Sequence, residues 1–460
     1  MLRKLLPFAL MVALLSCSDI RKAVDPTQKK DSAHLTDEDL RNMVERLYVE
    51  DDPGGANYLA LVSAGQRAVP YLLRALADPR TQQAGLFNHG LHQAYTSPFE
   101  RICNLLAETA PPEAATPLLR YMEHPDNYFR RVSARVLAKI GTPECVAAVK
   151  RALADNTDEV RDAALLGIKQ GIDARHRDPV FLNSVYPDVL SLLDRGPHEG
   201  LHPASVLTAI DPASAARVLE LPRYFNLKNP ELGEILTALD SDQIAVPRPM
   251  LMRLLADLEP LAAEDSDREP DYAAALILYA RNPDDKAKER FMVLIGSSSP
   301  AIAAAGARGL EILAGITPAR TISRIYGQEG FAGMTKPQQY YHAVMDYQAE
   351  VHNGGHRRYF YDPSGNLHET AVEALRAIGA AGKADILASA TAAFGSQRPA
   401  AECHDRRSQI DRFGPAQQRI FTAADERFFH AEEQGGERLS VLLTLYALNH
   451  KSDFVAPDLH

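Results

Sequence analysis

A repeat of 31 residues in the middle of the chain constrains its fold more than any other feature. The segment that begins at Glu113 recurs 31 residues later, so that Leu118 coincides with Val149 and Phe129 with Val160. Each copy has an apolar stripe at helical spacing, a polar turn, and an alanine-rich stripe that opens with an apolar residue and an arginine. Because one pair of helices cannot bury its apolar face alone, the repeat predicts helix pairs stacked in a row.

The turns and the weaker copies define the extent of this array. Residues 124–127 and 155–158 are polar and are expected to break the chain and to cap the second helix of each pair. An earlier copy begins at Ala68 and continues, after an insertion, at Phe99. Helical periodicity persists to about Thr317. We therefore expect an α-solenoid over residues 35–318.

The repeats resemble HEAT repeats of the short bacterial kind, in which a valine–arginine pair and a small-residue second helix recur. The resemblance implies a curved recognition surface that binds a protein or peptide. It does not imply a reaction centre.

The N-terminus carries the pattern of an export signal. Arg3 and Lys4 precede about a dozen apolar residues, a run too short to span a bilayer as a mature helix. The ending Leu-Leu-Ser-Cys resembles the lipobox of bacterial lipoproteins, which implies cleavage after residue 16 and lipidation of Cys17. Residues 17–34 are polar and predict a flexible tether. The expected location is the bacterial cell envelope, lipid-anchored at the outer membrane and facing the periplasm.

The pattern changes after the repeats, where aromatic residues become denser. Residues 336–351 predict one helix, and the His-Asn-Gly-Gly segment at 352–355 is expected to end it, because adjacent glycines allow positive φ. The strip Tyr-Phe-Tyr at 359–361 follows, and further apolar stripes predict more helices. We expect residues 319–460 to form a compact all-helical domain, which makes the whole chain all-α.

This region resembles the C-terminal domain of DNA mimic protein nineteen and its relatives. The matching residues are Glu350, Val351, Asn353, Gly354, Gly355, Tyr359 and Phe360. The motif has two interpretations. It is either a folding signature or a binding groove, and in the second case the candidate binding residues are Glu350, Asn353, Gly354, Gly355, Tyr359 and Phe360.

Charge argues against imitation of DNA. A mimic needs dense negative charge in place of phosphates, but residues 336–460 hold 13 Lys and Arg against 16 Asp and Glu, a net of -3. The whole chain carries a formal charge of -10, which is mildly acidic for its length and does not indicate a nucleic-acid binder. Nucleic acid is therefore not an expected partner.

No nucleophile elbow, P-loop, dinucleotide glycine motif or zinc-protease pair occurs in the sequence. We predict no catalytic residue, no metal site and no cofactor. One alternative is a hydrolase or metal-dependent enzyme built around Glu350, His352, His356 and His368. Another is an inhibitor or immunity-like protein. The leading hypothesis is a non-enzymatic, membrane-tethered interaction scaffold.

Cysteine and histidine usage adds two smaller expectations. Cys103 and Cys145 fall on apolar helix faces, where small buried cysteines are common, so both are expected in the core. His198 and His202 flank a glycine-containing bend and are expected to be solvated.

Overall fold

The structure is a computed structural model that describes residues 35–49, 56–82, 85–89, 92–176, 178–196, 200–434 and 436–455. The predicted signal peptide, Cys17, the tether and His198 lie outside these residues. Contacts within the chain divide it into two compact units, with the division between Val246 and Pro247. Unit one and unit two denote the described residues before and after that point.

Unit one consists of twelve helices and one hairpin. The helices are α1 (Asp37–Arg46), α2 (Ala56–Ala64), α3 (Val69–Leu76), α4 (Pro98–Thr109), α5 (Ala115–Leu119), α6 (Asn127–Ile140), α7 (Val146–Leu153), α8 (Asp158–Asp173), α9 (Pro179–Leu192), α10 (Pro203–Ile210), α11 (Pro212–Leu219) and α12 (Leu232–Ser241). The strands β1 (Gly85–His89) and β2 (His92–Thr96) pair antiparallel, with Gly85 opposite Thr96. The predicted all-α solenoid is confirmed, and the hairpin occupies the insertion between α3 and α4.

The turn before α6 caps its helix as predicted, whereas the N-cap residue of α8, Thr157, makes no side-chain cap. Asp126 precedes α6, and its side chain accepts a hydrogen bond from the backbone N–H of Tyr128 at 2.9 Å. At the equivalent turn, the Asp155 side chain accepts from the backbone N–H and the hydroxyl of Thr157. These bonds satisfy backbone donors that a helix start leaves open.

Two arginines at equivalent repeat positions hold these turns together. Arg130 donates to both carboxylate oxygens of Asp155, at 2.9 and 3.2 Å, and also to the carbonyl of His124. Arg161, 31 residues after Arg130, donates to the carbonyl of Asp155, which is 31 residues after His124. The arginine of the motif therefore closes its own turn, and Arg130 also joins one repeat to the next.

Close packing between α6 and α8 depends on Gly167. A β-carbon at this position would lie 2.3 Å from the carbonyl oxygen of Arg135 and 2.7 Å from the β-carbon of Ala138. No side chain fits there, so the glycine allows the two second helices of adjacent repeats to approach at backbone distance.

Unit two also consists of twelve helices. They are α13 (Arg248–Glu264), α14 (Glu269–Arg281), α15 (Ala287–Leu294), α16 (Pro300–Ala314), α17 (Pro318–Glu329), α18 (Lys336–Tyr361), α19 (His368–Ala377), α20 (Ala381–Ala390), α21 (Cys403–Ile410), α22 (Pro415–Glu433), α23 (Leu439–Asn449) and α24 (Lys451–Phe454). Its main core gathers apolar side chains from α17 to α24, including Tyr347, Tyr359, Phe360 and Phe428, all fully buried.

The boundary expected between residues 318 and 319 lies inside unit two. Ala303 and Ala307 of α16 pack against Val441 of α23. Thr444 donates a hydrogen bond to Glu311 at 2.8 Å, and the two residues are buried. The last helices before residue 318 thus share packing with the last helices of the chain.

The described cysteines are free thiols, and Cys103 and Cys145 are fully buried, which confirms their predicted place in the core.

The expectation that His202 is solvated is wrong. Its ring is buried, and its Nδ1 accepts from the backbone N–H of Ala204 at 3.2 Å, so it caps α10. Among the described helices, none has the length and apolar character needed to cross a membrane.

Candidate functional site

The glycine pair of the C-terminal motif divides α18 into two helical segments that meet at a kink. Gly354 has φ 176° and ψ 25°, and Gly355 has φ 74° and ψ -174°, so the two residues leave helical geometry. Helical structure resumes at once and continues to Tyr361. The predicted helix end at 352–355 is confirmed. The aromatic strip at 359–361, expected after the helix, forms the last turn of the second helical segment.

The carboxylate of Asp425, from α22, packs directly against the backbone of Gly355 at the bend. A β-carbon on Gly355 would lie 2.3 Å from Asp425 Oδ2. The backbone N–H of His356, freed by the bend, donates to Asp425 Oδ1 at 2.7 Å. Gly355 is therefore required twice, by its positive φ and by the close approach of Asp425.

His356 continues this contact into the core. Its Nδ1 lies 2.6 Å from Asp425 Oδ1, and its Nε2 lies 2.9 Å from the hydroxyl of Tyr347. The His356 ring is fully buried. Both ring nitrogens are engaged within the protein, so the Asp–His–Tyr series fixes α18 on α22 and presents no free nitrogen to a substrate.

A second polar group joins the same helices nearer the surface. His352 Nε2 lies 3.0 Å from Glu432, whose other oxygen lies 3.2 Å from Lys383. Lys383 also donates to the carbonyl of Phe428 at 3.0 Å and lies over its ring. Burial alone would raise the pKa of Glu432, but His352 and Lys383 lower it below its usual range. Glu432 is thus held ionised between two basic groups.

The six candidate binding residues do not line one surface. Glu350 pairs with Arg358 at 3.1 Å, and Asn353 and Gly354 are exposed at the bend. Gly355 is buried against Asp425, and Tyr359 and Phe360 have no exposed area. The aromatic pair belongs to the core because the bent helix turns it inward.

The residues of the enzyme alternative have separate partners. Glu350 contacts Arg358, His352 contacts Glu432, His356 contacts Asp425, and the Nδ1 of His368 lies 3.1 Å from the carbonyl of Gly365. A surface depression of about 270 Å³ is lined by His368 but by none of the other three. In the part of the chain that the structure describes, no three His, Cys, Asp or Glu side chains are arranged to hold a metal ion.

A solvent-reaching set of carboxylates lies on the outer side of α18. We call Asp346, Glu350 and Asp362 the acidic cluster. Their side chains are 31%, 20% and 27% exposed. Arg358 bridges Glu350, at 3.1 Å, and Asp362, at 3.3 Å, and among the described residues it is the only Lys or Arg that forms an ion pair with a carboxylate of the cluster.

Asp346 is the least neutralised member. Its Oδ2 lies 3.5 Å from Nε2 of His342, too far for a hydrogen bond of ordinary strength. Burial, together with the negative charges of Glu350 and Asp362, raises the pKa of Asp346 to about 7. Burial lowers the pKa of His342 to about 4, so the ring is neutral at neutral pH.

The position of Asp362 is fixed by a buried guanidinium. Arg406 has no exposed area, and it donates to the carbonyls of Phe360 at 2.6 Å, Asp362 at 2.9 Å and Ala400 at 2.7 Å. The bonds to Phe360 and Asp362 satisfy carbonyls at the end of α18. The sequence analysis missed Arg406 and also missed Asp346. The spacing of four that places His342, Asp346 and Glu350 on one helix face was the available signal for Asp346.

Unit one offers a different kind of surface, where two side-chain pairs join residues that are 31 positions apart. Glu100 of α4 pairs with Arg131 of α6 at 3.1 Å, and Asn104 of α4 accepts from Arg135 of α6. Both pairs are separated by 31 residues. We call these four half-buried or partly exposed side chains the ladder face, since they join second helices of successive repeats along one side.

Comparison with known proteins finds a family match in each of the two units. Residues 332–450 match the family described as DMP19-like protein. Residues 100–169, which include the ladder face, match the family described as HEAT repeats. No curated protein and no solved structure matches the chain. The chain therefore contains HEAT repeats and a DMP19-like domain, a combination that indicates a helical-repeat protein-interaction scaffold.

Proposed function

We propose that this protein is a non-enzymatic scaffold that is tethered to the bacterial outer membrane and binds a protein or peptide. The observation that carries the binding role is the ladder face. Its pairs Glu100–Arg131 and Asn104–Arg135 join the second helices of two successive repeats, and stacked repeats of this kind bind partners through the surface that they form together.

The tether rests on the sequence of the N-terminus. Two positive charges, an apolar run and Leu-Leu-Ser-Cys at residues 14–17 favour lipidation of Cys17. Two or three acyl chains anchor a protein durably, since each buried methylene contributes about 0.8 kcal/mol. The polar residues that follow Cys17 would hold the folded units close to the periplasmic side of the membrane.

The tethering is tested by Cys17→Ser in the full chain. We expect the variant to move from the membrane fraction to the soluble periplasm, and to lose incorporation of radiolabelled palmitate. Cys403→Ser provides the matched control, because Cys403 lies far along the chain on α21. A Cys17→Ser protein that remains in the membrane fraction contradicts the lipid anchor.

The binding role is tested by photo-crosslinking in living cells. A benzoylphenylalanine at Arg131 places the reactive group on the ladder face, and one at the exposed Glu159 on α8 serves as control. We expect a discrete protein adduct from position 131 and a weaker one, or none, from position 159. Equal adducts from both positions, or none from either in a folded and membrane-bound protein, would contradict the proposal.

A further inference from the structure

The acidic cluster of unit two has an excess of negative charge that the protein itself does not neutralise. Three carboxylates reach solvent, and Arg358 contacts only Glu350 and Asp362. Among the described residues the Asp346 carboxylate has no Lys or Arg partner, and its Oδ2 lies 3.5 Å from His342 Nε2. Carboxylates held this close repel each other, so the arrangement favours a cation from outside.

Polar groups behind the cluster also lack partners. His342 is 6% exposed, and neither ring nitrogen makes a hydrogen bond within the described residues. Its Nε2 is directed at Asp346. The hydroxyl of Tyr359, fully buried on the same helix, is likewise without a partner there. Since buried polar atoms are nearly always hydrogen-bonded, the His342 ring directed at Asp346 points to a polar ligand at this place.

Two aromatic rings lie against His342, next to the acidic cluster. Tyr326 of α17 is 42% exposed, and its ring lies 4.7 Å from the ring of His342. The centroid of the Phe331 ring lies 5.8 Å from that of the His342 ring. An exposed tyrosine face beside carboxylates suits a flat cation, which can stack on the ring while its N–H groups reach the oxygens.

We propose that Asp346 and Glu350, together with Tyr326, bind the guanidinium group of an arginine side chain from a protein partner. A guanidinium has five N–H donors in one plane and pairs with carboxylates through two parallel bonds. Arg358 already donates one hydrogen bond to Glu350 at 3.1 Å inside the chain, which shows that guanidinium chemistry fits the cluster. This proposal rests on the proposed function in one respect, namely that the arginine belongs to a protein partner.

The energetics of Asp346 agree with a binding role. An ionised carboxylate that has no cation beside it and two carboxylates nearby makes the folded state less stable. Residues that lower stability in this way are typical of functional sites. The same carboxylate gains a partner when a guanidinium arrives.

The test is calorimetric titration of the full chain at pH 8, where Asp346 is ionised. The probes are acetyl-Gly-Arg-Gly-amide and acetyl-Gly-citrulline-Gly-amide, which have the same shape and differ in charge. We expect the arginine peptide to bind at least about tenfold more tightly, because only its guanidinium forms charged hydrogen bonds with the carboxylates. Asp346→Asn should weaken arginine binding by a similar factor, and Glu426→Gln, which removes an exposed charge from α22, should not.

Equal binding of the two peptides, or unchanged binding by Asp346→Asn, overturns the proposal. Glu350→Gln is the second variant. If Asp346→Asn fails to fold, unchanged arginine-peptide binding by Glu350→Gln overturns the proposal instead.

Agmatine and spermidine distinguish the source of the cation. Binding of either as tight as that of the arginine peptide overturns a protein source. Because these titrations do not involve the ladder face, their failure leaves the crosslinking test of the proposed function untouched.

Discussion

Thr444 donates a hydrogen bond to Glu311 at 2.8 Å, and the two residues are separated by 133 positions in the sequence. The bond is buried and joins α23 to α16. Arg438, just before α23, donates to the carbonyls of Ser297 and Ser298, in the turn before α16. The repeat-like helices of unit two are therefore completed by the C-terminal helices, although sequence alone placed a boundary between them.

This relationship predicts where the chain can be shortened. Deleting residues 325–460 removes α23 and exposes the Ala303–Ala307 face of α16, so we expect loss of cooperative unfolding in what remains of unit two. A chain that ends at Val246 should retain a cooperative transition, because unit one has its own contacts. Thermal unfolding followed by circular dichroism, with limited proteolysis, measures both. Two equally cooperative truncations would contradict the division at residue 246.

The repeat motif gives a second prediction, at Arg130. Arg130 pairs with Asp155, and their side chains are only 14% and 10% exposed, so the ion pair is shielded from water. Arg130→Gln leaves Asp155 without its charged partner, and we expect a loss of about 2 kcal/mol in the free energy of unfolding. Urea denaturation of residues 24–246 measures the change.

The matched control for Arg130 is the exposed pair Arg151–Glu123, whose side chains are 56% and 73% exposed. Arg151→Gln should cost less than about 1 kcal/mol, because water screens surface ion pairs. If the two variants lose the same stability, the arginine of the repeat motif has no special structural role.

How far the sequence predicted these features depends on how local they are. The cap at Asp126 and the burial of Phe129 and Val160 at equivalent positions follow from spacing within one repeat, and the sequence predicted them. The bend at Gly355 was also predicted, since a glycine pair permits positive φ. Each of these depends on residues within one turn or one period of the chain.

Long-range partners could not be predicted in the same way. Asp425 meets Gly355 across 70 residues, and Glu432 meets His352 across 80. No spacing rule relates such positions. The fully buried Tyr359 was open to either interpretation, because an aromatic strip beside a turn fits a groove as well as a core, and only the direction of the bent helix decides between them.

The bend itself gives a third prediction. Gly355→Ala must accept a φ of 74° and move Asp425, whose oxygen would lie 2.3 Å from the new β-carbon. Gly379→Ala provides the control, since Gly379 has φ 90° but nothing within 4 Å of a β-carbon. We expect about 1 kcal/mol of destabilisation for Gly379→Ala. Gly355→Ala should cost roughly 1–3 kcal/mol more.

Thermal unfolding of the full chain measures this difference. The excess for Gly355→Ala reports the displacement of Asp425 and of the His356 bonds that depend on it. Equal destabilisation by both alanines would show that the carboxylate moves without cost, and that the Asp425–His356 contact does not hold α18 on α22.

Asp346 gives the last prediction, because its pKa of about 7 in the folded protein lies far above the value near 4 expected when unfolded. Below about pH 4 the carboxyl is protonated in both states. Between about pH 4 and pH 7 only the folded state keeps the proton, so this group makes stability fall as pH rises. Asp346→Asn cannot ionise, and its stability advantage over the natural chain should grow across that window and level off above about pH 7. Thermal unfolding of both proteins from pH 4 to pH 8.5 measures the difference, and a constant difference would show that Asp346 is not held protonated by its neighbours.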